Sequence, residues 1–442
     1  MAGAVESFLG AFGGACRASD GAQLLACFRL DPQAYGALQA ALGAGAAADL
    51  DAVEWVSSKT HDKRFRALAH EYLEYAAREA PPSVAGGASA YDAWVKVFSQ
   101  ATAIFALPDT VWFIPTLKYL AQQLVTLAIR TDKQSGSRMY TKTIDAAGRL
   151  SKCAGLAAND RTALPGPDTK RAAVLALANA SFRAYFKLNN TRLCETVLGS
   201  VQNAMLMNRR HGDEQGSGEE VYPLAERVTY RYYLGQIRLI QHRIQVAAQH
   251  LDWAFSHCSQ RQFHNRRKIL ASLVAVHLIL GRYASPHLLE TFGLTDEFGK
   301  MLYYHKLGYG RGVQQELERH CDWLRTKGLY MVLAEKAMLG LWRNLFRRCL
   351  RLAPSRGAAP NAPPTLQLAM LLGPARMAWG DAALQAEDIE CIAANLVDQV
   401  GIRAESDSHT GADEGVHSAL ERARRPAERA APGLSTARQC VP

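Results

Sequence analysis

Residues 226–281 read ERVTYRYYLGQIRLIQHRIQVAAQHLDWAFSHCSQRQFHNRRKILASLVAVHLILG, and the order of apolar side chains in this stretch decides the fold. Tyr233, Ile237, Ile240, Ile244, Ala247, Leu251, Ala254 and Phe255 recur mostly at steps of three and four. That spacing places them on one stripe of a helical surface, which must be buried against a neighbour. After a polar interval, Ile269, Leu270, Leu273, Val276 and Leu280 repeat the pattern on a second helix, with Asn265 marking its start and Gly281 its end. Helices stacked on helices follow. As one helix, residues 226–257 would exceed the usual length in globular proteins. Gly235 is the only Gly or Pro inside and lies early, so the residues themselves do not show the break.

Working outward, the 442 residues are 48% hydrophobic, enough for a substantial core in two or three domains or one extended solenoid. The 9 cysteines are scattered with no CxxC pair, which argues against a zinc finger or a disulfide framework and for reduced thiols. MAGAVESFLGAFGG has no basic residue ahead of its apolar run, unlike a secretory signal, and places the protein inside the cell. The most apolar region, residues 101–129, is interrupted by Pro108, Asp109, Pro115 and Lys118 and reads as buried helices, with no membrane span.

The net charge is +10, and residues 226–356 hold 21 Lys or Arg against 9 Asp or Glu, so this region accounts for the whole surplus. No acidic residue occurs between Lys336 and Gly380. Such a concentration suits a polyanion, either nucleic acid or an acidic protein segment, while a plain solvated face is the alternative.

In chain order, helices are expected at 5–12, 24–30 and 53–78, with no clean period in 36–48 and a break at 81–89. Residues 91–105 and 112–129 form an antiparallel pair across the short Pro108-Asp109 turn. Residues 131–137 read as a polar loop, 144–156 as a weaker helix, and 170–188 and 193–207 as a strong helix and its return, with Asn189-Asn190 as C-cap. Residues 208–220, NRRHGDEQGSGEE, read as an exposed loop. Short helices in pairs through residue 330 describe a TPR-like helical-repeat solenoid without a strict sequence repeat. Residues 329–352, 366–372 and 386–397 are three helices of a compact head, separated by a Pro-rich segment at 354–364. The tail 403–442, with few residues to bury, reads as disordered.

Enzyme signatures are missing: no GxxxxGK[ST], HExxH or GxSxG occurs. Gly308, Gly310 and Gly312 form GxGxG, but no strand precedes them, so a loop is expected and no nucleotide or other cofactor. His250, His257 and His264 recur at sevens near Cys258, a spacing too wide for the usual metal ligands, and read as ordinary helix histidines. Trp253, Phe255, Tyr230, Tyr232 and Tyr233 could stack bases, yet at helical spacing they read as packing residues. Arg343, Arg347 and Arg351 fall at steps of four on one face with Arg348 beside them and no local acid, which makes them the leading candidates for phosphate contact. Arg266, Arg267 and Lys268 are a second candidate group, in a first helical turn where cations oppose the dipole, so function or an acidic neighbour must explain them.

FRAYFKLNNTRLCETVLGS at 182–200, RVTYRYYLGQ, LDWAFSHC and NRRKIL within 226–281, residues 286–289, WLRTKGLYMVLAEKAMLGLWRNLFRRCLRL at 323–352 and LQAEDIECIAANLV at 384–397 together resemble the PCI-domain proteins. The narrower resemblance is to the PCI subunit of TREX-type transcription-export complexes and the related signalosome-associated subunit. It covers the C-terminal 260 or so residues. It implies an all-α helical-repeat solenoid followed by a winged helix, and a turn near 241–243. It also implies a non-catalytic scaffold for mRNA export in the nucleus, including the nuclear pore, with the cytoplasm as a second location. Implied partners are a larger PCI scaffold protein, a small acidic subunit shared with the proteasome lid, and RNA or DNA held mainly by phosphate contacts; no membrane is implied. By position, 343–348 lies on the first winged-helix helix, and 388–397 opens the helix expected to reach toward partner or nucleic acid.

The family continues into two wing strands where this chain reads QVGIRAESDSHTGADEGVHS from residue 399, so the wing is expected to be missing. The domains implied are helical repeats at 1–207, a polar loop at 208–222, the repeat part of the PCI domain at 223–328, the winged helix at 329–402, and the tail. The alternative reading is a protein-binding PCI subunit of a signalosome-like or proteasome-lid-like assembly, with an acidic partner on the basic surface.

Overall fold

The computed structural model describes residues 2–43, 59–136, 139–164, 166–212, 217–352 and 367–400. These residues form helices and turns, with no strand among them. Contacts divide the chain into two compact units, Met1–Ile237 and Arg238–Pro442.

The first unit holds α1 (Ala2–Ala18), α2 (Gly21–Phe28), α3 (Pro32–Gly43), α4 (Lys59–Arg78), α5 (Ala88–Phe105), α6 (Ile114–Ser135), α7 (Thr141–Ala158), α8 (Val174–Lys187), α9 (Leu193–Gly212) and most of α10 (Leu224–Ile240). From α4 to α9 each helix packs on the next, and α6 also meets α8 as α7 meets α9. This is the layered stacking of helical repeats, in which no single hairpin can bury its own apolar face. Trp94 on α5 is fully buried, edge-on to Tyr75 at 4.9 Å, with its indole N–H donating to the Leu120 carbonyl at 3.3 Å. On α10, Tyr230 and Tyr233 pack against Phe182 and so serve the core, as their spacing predicts.

Three polar or irregular segments depart from the sequence reading, and each does so because tertiary contacts use it. Residues 36–43 lack a clean period yet belong to α3, where Tyr35, Leu38 and Ala41 are buried and the Tyr35 hydroxyl donates to the Glu79 carbonyl at 2.9 Å. Residues 131–135 continue α6 and are no loop. The buried Asp132 carboxylate accepts from the backbone N–H of Thr143 at 2.7 Å and of Lys142 at 3.2 Å, so it satisfies free donors at the start of α7. Residues 208–212 likewise extend α9, and Asn208 is buried between Arg171 and Tyr222. At the C-terminus of α8, Asn189 adopts φ 52°, the left-handed cap its sequence predicts.

The second unit holds α11 (Ile244–His257), α12 (Phe263–Ile279), α13 (Pro286–Thr291), α14 (Thr295–Leu307), α15 (Gly310–Arg319), α16 (Cys321–Thr326), α17 (Tyr330–Leu352), α18 (Leu372–Trp379) and α19 (Ala386–Val400). The turn between α10 and α11 lies at 241–243, where the resemblance implies it. His242 takes φ 59° and the Arg243 N–H closes back on the Arg238 carbonyl at 2.9 Å. Because α10 stops there, Ile240 leaves the expected buried stripe and is 41% exposed, while Ala247, Leu251 and Ala254 stay buried. Asn265 does not start α12: Gln262 precedes the first turn, and the Asn265 amide donates to its side chain at 3.2 Å. Gly281 does end the helix, at φ 75°.

The GxGxG segment is not a plain loop. Gly308 closes α14 at φ 76°, and Gly310 and Gly312 open α15. A Cβ on Gly308 would stand 2.5 Å from the Leu345 amide nitrogen, and one on Gly310 2.5 Å from the Trp379 ring. The glycines let the α14–α15 corner press on α17 and on Trp379. Gly308→Ala is therefore expected to cost about 2 kcal/mol, from left-handed strain plus the clash. Gly293→Ala, at φ 60° with open space, carries the strain alone. Urea melts of both variants check this; equal losses would remove the close-approach account.

The head forms as expected from three helices, with Trp342, Leu345, Phe346 and Leu350 of α17 packed against Leu371, Ala375, Ala378, Ile389 and Leu396. Its second helix lies later than residues 366–372. A 3-10 turn covers Leu368–Leu371 and α18 follows, with Pro374 in its first turn, where no backbone N–H is needed. Arg376 donates twice to the Leu384 carbonyl, at 3.0 and 2.7 Å, and the Asp388 carboxylate accepts from the Gln385 N–H at 2.9 Å to fix the start of α19. The expected linker at 354–364, the missing wing and the disordered tail lie outside the described residues.

Candidate nucleic-acid interface

Arg343, Arg347 and Arg351 follow one another along α17 at intervals of about 6 Å, four residues of helical rise. Arg343 and Arg347 are half-buried, and Arg348 and Arg351 are exposed. Among the described residues none of the four forms an ion pair with a carboxylate, and the Nε atoms of Arg343 and Arg347 are buried without a hydrogen-bond partner. Burial, then the charges of Arg351 and Arg343, lowers the Arg347 guanidinium from its usual value. Arg343 lies over Gly281: its Nη2 is 2.7 Å from where a Cβ would stand, at the C-terminal end of α12, where the helix dipole favours a cation.

The row is braced from behind by polar groups that the sequence reading missed. The Asn344 amide donates to the Tyr283 hydroxyl at 2.7 Å and to the His305 carbonyl at 2.9 Å. The His305 Nε2 faces the Ala337 carbonyl at 3.1 Å and must carry the proton, which leaves Nδ1 to accept from the Tyr283 hydroxyl at 2.9 Å. His305 is fully buried, and desolvation lowers its pKa to about 4, helped by the Arg343 charge. The sequence signal was slight: isolated polar residues on otherwise buried helix faces.

The second basic group lies elsewhere. Arg266, Arg267 and Lys268 open α12, about 20 Å along the helix from the Gly281 end that meets Arg343. Arg267 donates to the Phe292 and Gly293 carbonyls, each at 2.9 Å, and pairs with Glu297 at 3.3 Å, so it ties the end of α13 to α14. Arg266 sits over the Phe255 and Phe292 rings at 4.7 and 5.5 Å. Lys268 is exposed. The acidic neighbour and the aromatic rings explain why cations are tolerated in this first turn.

The first turn of α19 exposes Glu387 and Asp388, and Glu390 follows. This end of the helix suits a basic protein surface better than phosphates. Between α17 and α19 lies a cleft of about 380 Å³ floored by Leu339, Trp342 and Ile392, with Lys336 and Asn395 at its rim. His257 stacks on Trp253 at 4.1 Å, and among the described residues no three His, Cys, Asp or Glu gather as a metal site. Nor is any described helix long and apolar enough to cross a membrane.

No family model matches the chain. It is 28% identical over 317 residues to a PCI domain-containing protein of Schizosaccharomyces pombe, covering 69% of this chain and 68% of that one. It is 26% identical over 290 residues to PCI domain-containing protein 2 of Xenopus laevis, covering 65% and 67%. It is 26% identical over 310 residues to Enhanced ethylene response protein 5 of Arabidopsis thaliana, covering 70% and 69%.

Proposed function

Because the chain belongs to the family of PCI domain-containing protein 2, we propose that it is a non-catalytic scaffold subunit of a nuclear transcription-coupled mRNA-export complex. It binds nucleic acid through the basic face of its three-helix head and pairs with a larger PCI scaffold protein and a small acidic subunit, in the nucleus and at the pore. The observation that carries the nucleic-acid role is the row of four arginines on α17 with no carboxylate paired to it among the described residues. An unneutralised cation row on a folded helix repels itself and is relieved by a polyanion.

Replacing Arg343, Arg347, Arg348 and Arg351 together with Glu is expected to weaken binding of single-stranded RNA more than tenfold near physiological salt. Unchanged binding by a folded variant would move the nucleic-acid site elsewhere. The carboxylates at the start of α19 and the cleft beside it favour a second reading, a protein-binding subunit of a signalosome-like or proteasome-lid-like assembly. Affinity purification of the tagged chain separates the two. A PCI scaffold with pore components supports export, and signalosome subunits in their place support the second reading.

A further inference from the structure

We propose that Arg343, Arg347 and Arg351 form a track for consecutive phosphodiester groups of one RNA strand running parallel to α17, with Asn344 as the positioning residue that holds the track. The inference rests on the nucleic-acid reading above and specifies the ligand and its direction.

Three observations carry it. First, the two half-buried guanidiniums hold their Nε atoms out of solvent with no acceptor, and a side-on oxyanion would bond Nε and Nη2 together. Second, the repeat of about 6 Å along the helix offers equivalent contacts to successive groups of a linear polyanion. Third, α19, the helix that would enter a duplex groove, opens with exposed Glu387 and Asp388, so it is repelled by the phosphates flanking a groove, and a single strand on α17 avoids it. Asn344 spends its amide donors on Tyr283 and His305 and has none to spare for ligand. Its part is to lock the rotation of α17 against α14, so that residues at four-residue steps present one line.

The test uses the full chain and a short fluorescent oligouridylate, with anisotropy titrations at several salt concentrations. Arg347→Gln and Arg351→Gln should each lower affinity about three- to tenfold and reduce the logarithmic salt slope by about 0.7, the value for one phosphate of a single strand. Arg351 is exposed, so its variant is free of folding effects; Lys300→Gln, on an exposed site of α14, should leave the slope alone. Asn344→Asp, which loses the amide donors, should weaken affinity with the slope retained, and Asn344→Gln should restore part of the loss.

Unchanged slopes in both arginine variants, with the wild type binding RNA, would sink the track and leave the nucleic-acid reading standing. No RNA binding by the wild type at low salt would sink both. Equal competition by polyglutamate at matched charge would overturn the phosphate chemistry, and tighter binding of duplex DNA with the same slope losses would overturn the single strand.

Discussion

Replacing Arg171 with Met should lower the melting temperature of the full chain by roughly 10 °C, the shift that a loss of about 4 kcal/mol produces in a unit of this size. Arg171 is fully buried at the start of α8. Its Nε donates to Asn208 at 2.9 Å, Nη1 to the Asp160 and Thr162 carbonyls at 2.8 and 3.0 Å, and Nη2 to the Leu164 carbonyl at 3.1 Å. These bonds organise the segment between α7 and α8, which has few apolar contacts of its own. Met fills the volume but leaves four buried acceptors without a donor, each a cost of about 1–3 kcal/mol before relaxation. Arg171→Lys keeps the charge with a single donor head and should fall between, since the planar fork cannot be replaced by a point charge. A Met variant melting within about two degrees of wild type would show that water substitutes for the guanidinium.

Acid should destabilise the second unit through His305. Folded His305 stays neutral down to about pH 4, because burial disfavours its charged form and the Arg343 charge adds to this. In the unfolded chain the same ring takes up a proton near pH 6.5. Between these values the unfolded state binds more protons, so stability falls as pH drops through this window and is flat above it. The integrated loss approaches about 3 kcal/mol by pH 4. His305→Gln should be less stable at neutral pH, because it breaks the bonds to Tyr283 and Ala337, yet should lose this part of the pH slope. Urea melts of both chains from pH 7 to pH 4 give the result; parallel pH curves would remove His305 as the cause.

The legible parts of the fold were those governed by local periodicity. The paired helices of both units, the αL caps at Asn189 and Gly281 and the three-helix head follow from apolar spacing and cap chemistry. Segments misread as loops, at 131–135 and 208–212, are polar because Asp132 and Asn208 satisfy buried donors and acceptors of other helices, a demand that residue spacing does not reveal. For the candidate site, the arginine row on α17 was visible as a four-residue step. The separate duty of Arg266 and Arg267 was not, since their partners Phe292, Gly293 and Glu297 arrive from 25 to 30 residues further along.

By itself the sequence determined that this chain is helical, where its basic charge is concentrated and which family it joins, because helix formation and net charge depend on residues near one another in the chain. Only the tertiary structure decided which cations are consumed by the fold and which stay unneutralised. That choice depends on which carbonyls, rings and carboxylates packing brings within about 3 Å, and pairs such as Arg171 with Asn208 or Arg267 with Glu297 are set by how helices stack.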